Sequence, residues 1–127
     1  MKVSIAFQDS TCDPVQDDIL SVLEAEAKGA GHEIGLASPE TTAINVDYSL
    51  TSSVPGNSFD KTVYKCEVFA VIVFPGNETE EIQATDQREY PTPTTPRDDA
   101  SHRKSISKKC ARHAAVRIIE VLSGFND

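Results

Sequence analysis

The sequence predicts a three-layer, Rossmann-like α/β fold, with a mostly parallel sheet and helices on both faces. Three observations carry the prediction. A short apolar run, Val3 to Phe7, is followed by a sharply marked helix and then by Gly31-His32-Glu33-Ile34, the strand, helix, glycine turn and strand of a parallel unit. Val68 to Phe74 is apolar at every position, as suits a central strand covered on both faces. The last part of the chain carries apolar residues at helical spacing.

The first helix is expected over Pro14 to Ala30. Asp13 is its N-cap, Pro14 fills the first helical position, Gln16 stands three residues after the cap, and Asp17 and Asp18 favour the positive end of the helix dipole. Val15, Ile19, Val22 and Leu23 form one apolar face, and Gly29 and Gly31 supply the stop. His32 to Ala37 reads as a second strand. Ser38 to Asn57, rich in Ser, Thr, Pro and Gly, reads as a long connection, and Ser58 to Cys66 as a short helix.

If Val68 to Phe74 is buried on both faces, Val71→Asp should unfold the domain by burying an unpaired charge. Pro75-Gly76-Asn77 then makes a turn. Asn77 as a cap with Glu80 three residues on predicts a helix from Glu78 to about Arg88 at the carboxyl edge of the sheet. Tyr90 to Arg97 contains Pro91, Pro93 and Pro96 and reads as an extended loop, since proline lacks the N–H a ladder needs. A last helix, capped by Asp98, Asp99 or Ser101, places Ile106, Cys110, Ala114, Ile118, Leu122 and Phe125 near one face. The β-branched residues of Val116 to Leu122 offer a strand as the competing reading, and the pattern favours the continuous helix. Its stripe is expected to divide between its own sheet and an isologous dimer contact.

The 127 residues suffice for one domain with a proper core, expected over residues 1–127. With 12 Lys plus Arg against 20 Asp plus Glu, the net charge of -8 repels polyanions, so no nucleic-acid partner is expected. The longest apolar run falls far below the roughly 18 residues of a membrane span, and no signal-like segment opens the chain, which predicts a soluble, cytoplasmic protein without a membrane partner. Cys12, Cys66 and Cys110 are widely spaced with no CxxC, fitting free thiols in a reducing compartment and implying no metal. Cys12 near a helix start has the position of an activated thiol, but Asp13 opposes thiolate formation and the inert reading is preferred. Asp9, Asp13, Asp17 and Asp18 crowd the first turn, where a phosphate loop would show glycines, so no nucleotide cofactor is expected.

The opening MKVSIAFQDS with its following helix and GHEI resembles the start of the ribose-5-phosphate isomerase B and galactose-6-phosphate isomerase family. Val46-Asp47-Tyr48, the stretch VIVFPGNETEEIQAT and the stretch HRKSISKKCARHAAVRII resemble three further elements of that family in the same order. The resemblance implies an aldose-ketose isomerase of sugar phosphates, working through an enediol without a cofactor, as a homo-oligomer. Glu80 matches the carboxylate base when one residue is inserted, and His102 falls at the ring-opening histidine. Asp9 or Gln8 falls in the first loop that touches substrate, Tyr48, Gly76 and Asn77 fall where the substrate is held, and Glu81 could serve as base in place of Glu80. The chemistry needs a base near neutral pKa and donors for the oxyanion. The bland alternatives are a solvated capping carboxylate at Glu80 and a solvated surface imidazole at His102. At the level of function, the alternative is a noncatalytic family-like subunit or a small-molecule-binding α/β domain, favoured by a loop with one glycine where the family has several.

Overall fold

A computed structural model describes residues 1–9, 13–56 and 60–124. Cys12, Phe125 and the expected start of a helix at Ser58 lie outside them. The element order is β1 (Lys2–Phe7), α1 (Pro14–Gly29), β2 (Glu33–Ile34), β3 (Thr42–Ser53), β4 (Lys61–Val73), β5 (Thr79–Pro91) and α2 (Pro96–Gly124). The five strands form one sheet in the order β2-β1-β3-β4-β5. β1 runs parallel to β2 and β3, while β4 runs antiparallel to both β3 and β5. The expected three-layer, mostly parallel sandwich is therefore corrected to a mixed, mostly antiparallel sheet in two layers. Both helices lie on one face. Leu23 and Ala27 of α1 meet Ala115 and Ile118 of α2 over Ile5 and Ile44 of the sheet.

The start of the chain follows its sequence signals. Asp13 caps α1 by accepting the Val15 N–H at 3.0 Å, with Pro14 behind it. Gln16, instead of reaching back to the cap, sends its amide to the Asp9 carbonyl at 2.8 Å. The second strand shrinks to Glu33–Ile34.

The middle departs most. The expected long connection contains β3, whose Thr42, Ile44 and Val46 are buried in alternation with exposed Asn45 and Asp47, a half-buried strand pattern. The expected helix ending at Cys66 is the first part of β4. The expected helix from Glu78 is β5, and the reason lies in the turn before it. Gly76 and Asn77 both have positive φ, at 97° and 71°. Asn77 N–H reaches the Phe74 carbonyl at 3.0 Å across Pro75-Gly76, and Phe74 N–H reaches the Glu78 carbonyl at 2.8 Å, closing a hairpin. A left-handed Asn77 cannot serve as the extended N-cap a helix needs.

β4 corrects the reading of the apolar run. Val68, Ala70 and Ile72 face the helices and are sealed, whereas Phe69 is 37% exposed and Val71 and Val73 are half-buried on the opposite, open face. The unfolding expected of Val71→Asp therefore belongs to Val68 or Ile72.

α2 is continuous, as the pattern favoured. Its cap is Thr95, whose hydroxyl accepts the Asp98 N–H at 3.1 Å, with Pro96 at the first helical position, so the proline-rich segment ends β5 and opens α2. Ile106, Cys110, Ala114, Ile118 and Leu122 are all buried within the chain, which leaves none of that stripe for a dimer contact. Each large aliphatic side chain so buried contributes about 1.5–3 kcal/mol.

Candidate functional site

The six residues expected at an active site fall in three places. Asp9 and Tyr48 share a cleft of about 440 Å³ where β1 ends against the middle of β3, with Phe7, Asp13, Asp47 and Arg103 around them. The Tyr48 hydroxyl donates to Asp13 Oδ2 at 2.7 Å and its ring meets Phe7 edge-on at 5.9 Å. Asp13 thus spends one oxygen on the helix cap and the other on Tyr48. The described lining contains aromatic rings, carboxylates and one guanidinium, and no histidine or thiol.

Glu80, Gly76 and Asn77 lie at the other end of the sheet. Glu80 belongs to β5 and borders a recess shared with Phe74, Glu78 and the last turn of α2 at Val121 and Gly124. It stands at no helix N-terminus. His102 sits in the first turns of α2, stacked on Tyr90 with centroids 4.5 Å apart and tilted over Tyr64 at 5.6 Å. Glu80 and Tyr90 stand ten steps apart along β5, roughly 34 Å at strand rise. The intended base and the intended ring-opening histidine are not in one cleft.

Around His102 the structure builds a clamp. The Tyr64 hydroxyl donates to Asp99 Oδ1 at 2.7 Å, and Arg103 Nε donates to Asp99 Oδ2 at 2.8 Å. Burial first and the Asp99 carboxylate second push the Tyr64 phenol up to about 12, while the bonds from Tyr64 and Arg103 hold the Asp99 carboxyl below its ordinary value. The clamp ties the start of α2 to the far ends of β4 and β5. Cys66 and Cys110 are buried in the core. The Cys110 thiol donates to the Cys66 carbonyl at 3.3 Å, and contact with Cys110 together with burial pushes the Cys66 thiol up; both thiols are sealed from solvent, so neither is a poised nucleophile. Among the described residues no group of three or more His, Cys, Asp or Glu is arranged to hold a metal ion, and no helix is long and apolar enough to cross a membrane.

The feature that sequence reasoning missed is the open face of the sheet. Phe69, Val71 and Val73 make an apolar ridge along β4, with Ala43 of β3 beside Val73. Asp47 pairs across from Phe69, Glu81 from Val71, and Glu67 and Glu89 continue the acidic border. Lys65, on the same face, is tied to Glu67 at 3.3 Å, and Lys61 stands at the far end of that face. A depression of about 420 Å³ opens among Phe69, Val71, Glu81 and Gln83. The signal that could have found it is the alternation Ile44, Val46, Tyr48, Leu50 in β3, which marks a sheet with one wet face.

The fold and these sites define a class: a two-layer α/β module with a mixed sheet, one face under two helices and the other bare. No family model and no curated protein matches the chain. Solved structures share the fold. A minor lipoprotein from Acinetobacter baumannii is similar with a TM-score of 0.73 at 15% identity, over 94% of this chain and 92% of that one. Rare lipoprotein B from Shewanella oneidensis is similar with a TM-score of 0.68 at 15% identity, over 98% and 96%. An uncharacterized lipoprotein B from Nitrosomonas europaea gives 0.61 at 16% identity, over 98% and 83%.

These neighbours overturn the resemblance to the ribose and galactose isomerases, and the isomerase function with it, since the fold this chain shares is that of solved bacterial lipoproteins. The cytoplasmic expectation falls as well. It rested on free thiols and short apolar runs, and the neighbours are lipoproteins.

Proposed function

We propose that this chain is a noncatalytic docking module of a lipoprotein-type protein of the bacterial cell envelope, and that its open sheet face receives a basic, amphipathic segment of a partner protein. The observation that carries the reading is the apolar ridge Phe69, Val71, Val73 bordered by Asp47, Glu67 and Glu81. An apolar centre removes water from its partner, and a carboxylate border selects against acidic chains and steers cationic ones. The shared fold of the lipoproteins supports the envelope setting.

A synthetic amphipathic helix of Leu and Lys is the probe. Titration followed by amide NMR should shift Asp47, Phe69, Val71 and Glu81, and Phe69→Ser should abolish the shifts while the spectrum stays dispersed. Equal binding of a Leu and Glu peptide, or shifts confined to the helix side, would reject the assignment of the face. Recovery of the native protein away from the membrane fraction of its host would reject the envelope setting.

A further inference from the structure

We infer that two copies of this chain pair antiparallel through the free edge of β5, joining their sheets into one and seating their α2 helices side by side. The inference goes beyond the docking face and does not depend on it. It starts from an asymmetry between the two edges of the sheet. β2 ends the sheet with two residues, whereas β5 ends it with thirteen, Thr79–Pro91, without an internal proline. A long, regular edge is a template for another strand.

The hairpin fixes which backbone groups are available. Phe74 N–H to Glu78 O and, at the far end, Thr92 N–H to Asp60 O mark the hydrogen-bonded pairs of the β4–β5 ladder. Even-numbered residues of β5 therefore spend their N–H and C=O on β4, and Glu81, Gln83, Thr85, Gln87 and Glu89 turn theirs outward. The Gln83 carbonyl accepts Arg117 from α2, in agreement with this phase, and keeps a second lone pair.

Side chains disfavour two registers and favour a third. With the twofold axis at Thr85, Glu81 would face Glu89 of the other copy, and with it at Asp86 two Asp86 carboxylates would meet. With the axis at Ala84, Glu80 faces Arg88 twice, Glu81 faces Gln87, and Gln83 exchanges hydrogen bonds with Thr85. Above that same point, α2 presents Val116, 53% exposed, over Ala84 and Thr85. α2 lies across β4 and β5, so an axis half a strand spacing outside β5 leaves the two α2 helices about 10 Å apart, a normal packing distance. Val116 then meets its copy, and Arg112 and Glu120, one turn to either side on the same helix face, meet each other's counterpart. Edge register and helix surface, which are independent of each other, select one axis.

Sedimentation equilibrium of the full chain should give a particle of twice 13.8 kDa that dissociates on dilution. Thr85→Pro removes an outward N–H and leaves the β4 ladder whole, so it should raise the dissociation constant by roughly tenfold or more with an unchanged circular dichroism spectrum. Val116→Glu, on an exposed helix position, should do the same and serves if the proline variant misfolds. Glu80→Lys and Arg88→Glu should each weaken the dimer, and the double variant should recover it. A monomer up to millimolar concentration, or a dimer indifferent to Thr85→Pro and Val116→Glu, would overturn the pairing. Failure of the double variant to recover would overturn the register. A monomer whose Gln83, Thr85 and Gln87 amides shift with an unrelated extended peptide would assign the edge to another chain, and overturn the self-pairing too.

Discussion

Along β4, Tyr64, Cys66, Val68, Ala70 and Ile72 lie sealed beneath the two helices, whereas Val63, Phe69, Val71 and Val73, one residue out of step, face away from both. The two sets are similar in hydrophobicity and differ in what covers them. Coverage is decided by the flanking strands: opposite the sealed set stand Ile44, Val46 and Ala84, and opposite the open set stand Asn45, Asp47, Glu81 and Gln83. An apolar run reports that a strand is central in its sheet, and its neighbours report whether one face or both is dry.

The comparison breaks most sharply with a charge on the sealed side. Ile72→Asp should unfold the protein or cost upwards of about 3 kcal/mol, read by chemical denaturation, because it buries an unpaired carboxylate under α2. Tyr64→Phe, on the same side, should cost about 1–2 kcal/mol, since it leaves Asp99 without the phenol while keeping the ring against Tyr90.

The acid limb of stability tests the same clamp. The Asp99 carboxyl is held below its ordinary value of 3.8, so its contribution is whole above that pH and is lost as the pH falls through the lowered folded value. Asp99→Asn should flatten that limb, and an unchanged acid titration of stability would show that the clamp does not couple to folding. On the open face, Val71→Asp should cost no more than about 1 kcal/mol and leave a cooperative transition; unfolding by this variant would mean that the face is covered. Glu81→Lys should move stability by less than about 0.5 kcal/mol and still weaken binding of the basic probe.

What the sequence made legible was local. Asp13 with Pro14 specified the start of α1, and the stripe from Ile106 to Leu122 specified α2, because caps and helical period are written in neighbouring residues. β5 was hidden because Glu, Gln, Ala and Arg favour helix, and only the left-handed pair at Gly76 and Asn77 with the β4 ladder turns them into a strand. β3 was hidden by its Ser and Thr: Thr42 is buried while Ser49, Thr51 and Ser53 sit on the wet face, and together they mimic a loop. Asp9 and Tyr48 were brought together, while Glu80 and His102 were parted by the length of β5, a separation set by pairing partners that no single stretch records.

β1 leaves the ribosome before the other four strands of its sheet, yet its place lies between β2 and β3. The last three strands are neighbours both in sequence and in space, and β4 and β5 close through a tight turn, so their contacts form at small cost in loop entropy. β1 gains its second partner only when β3 exists, and β3 in turn is held by β4, which is made after it. The birth order of the strands and their assembly order therefore run in opposite directions, and β1 spends that interval with only the two-residue β2 to pair with. Pulse-labelled hydrogen exchange during refolding should protect Ala70 and Ile82 before Ile5, and simultaneous protection would show that the sheet closes in one step.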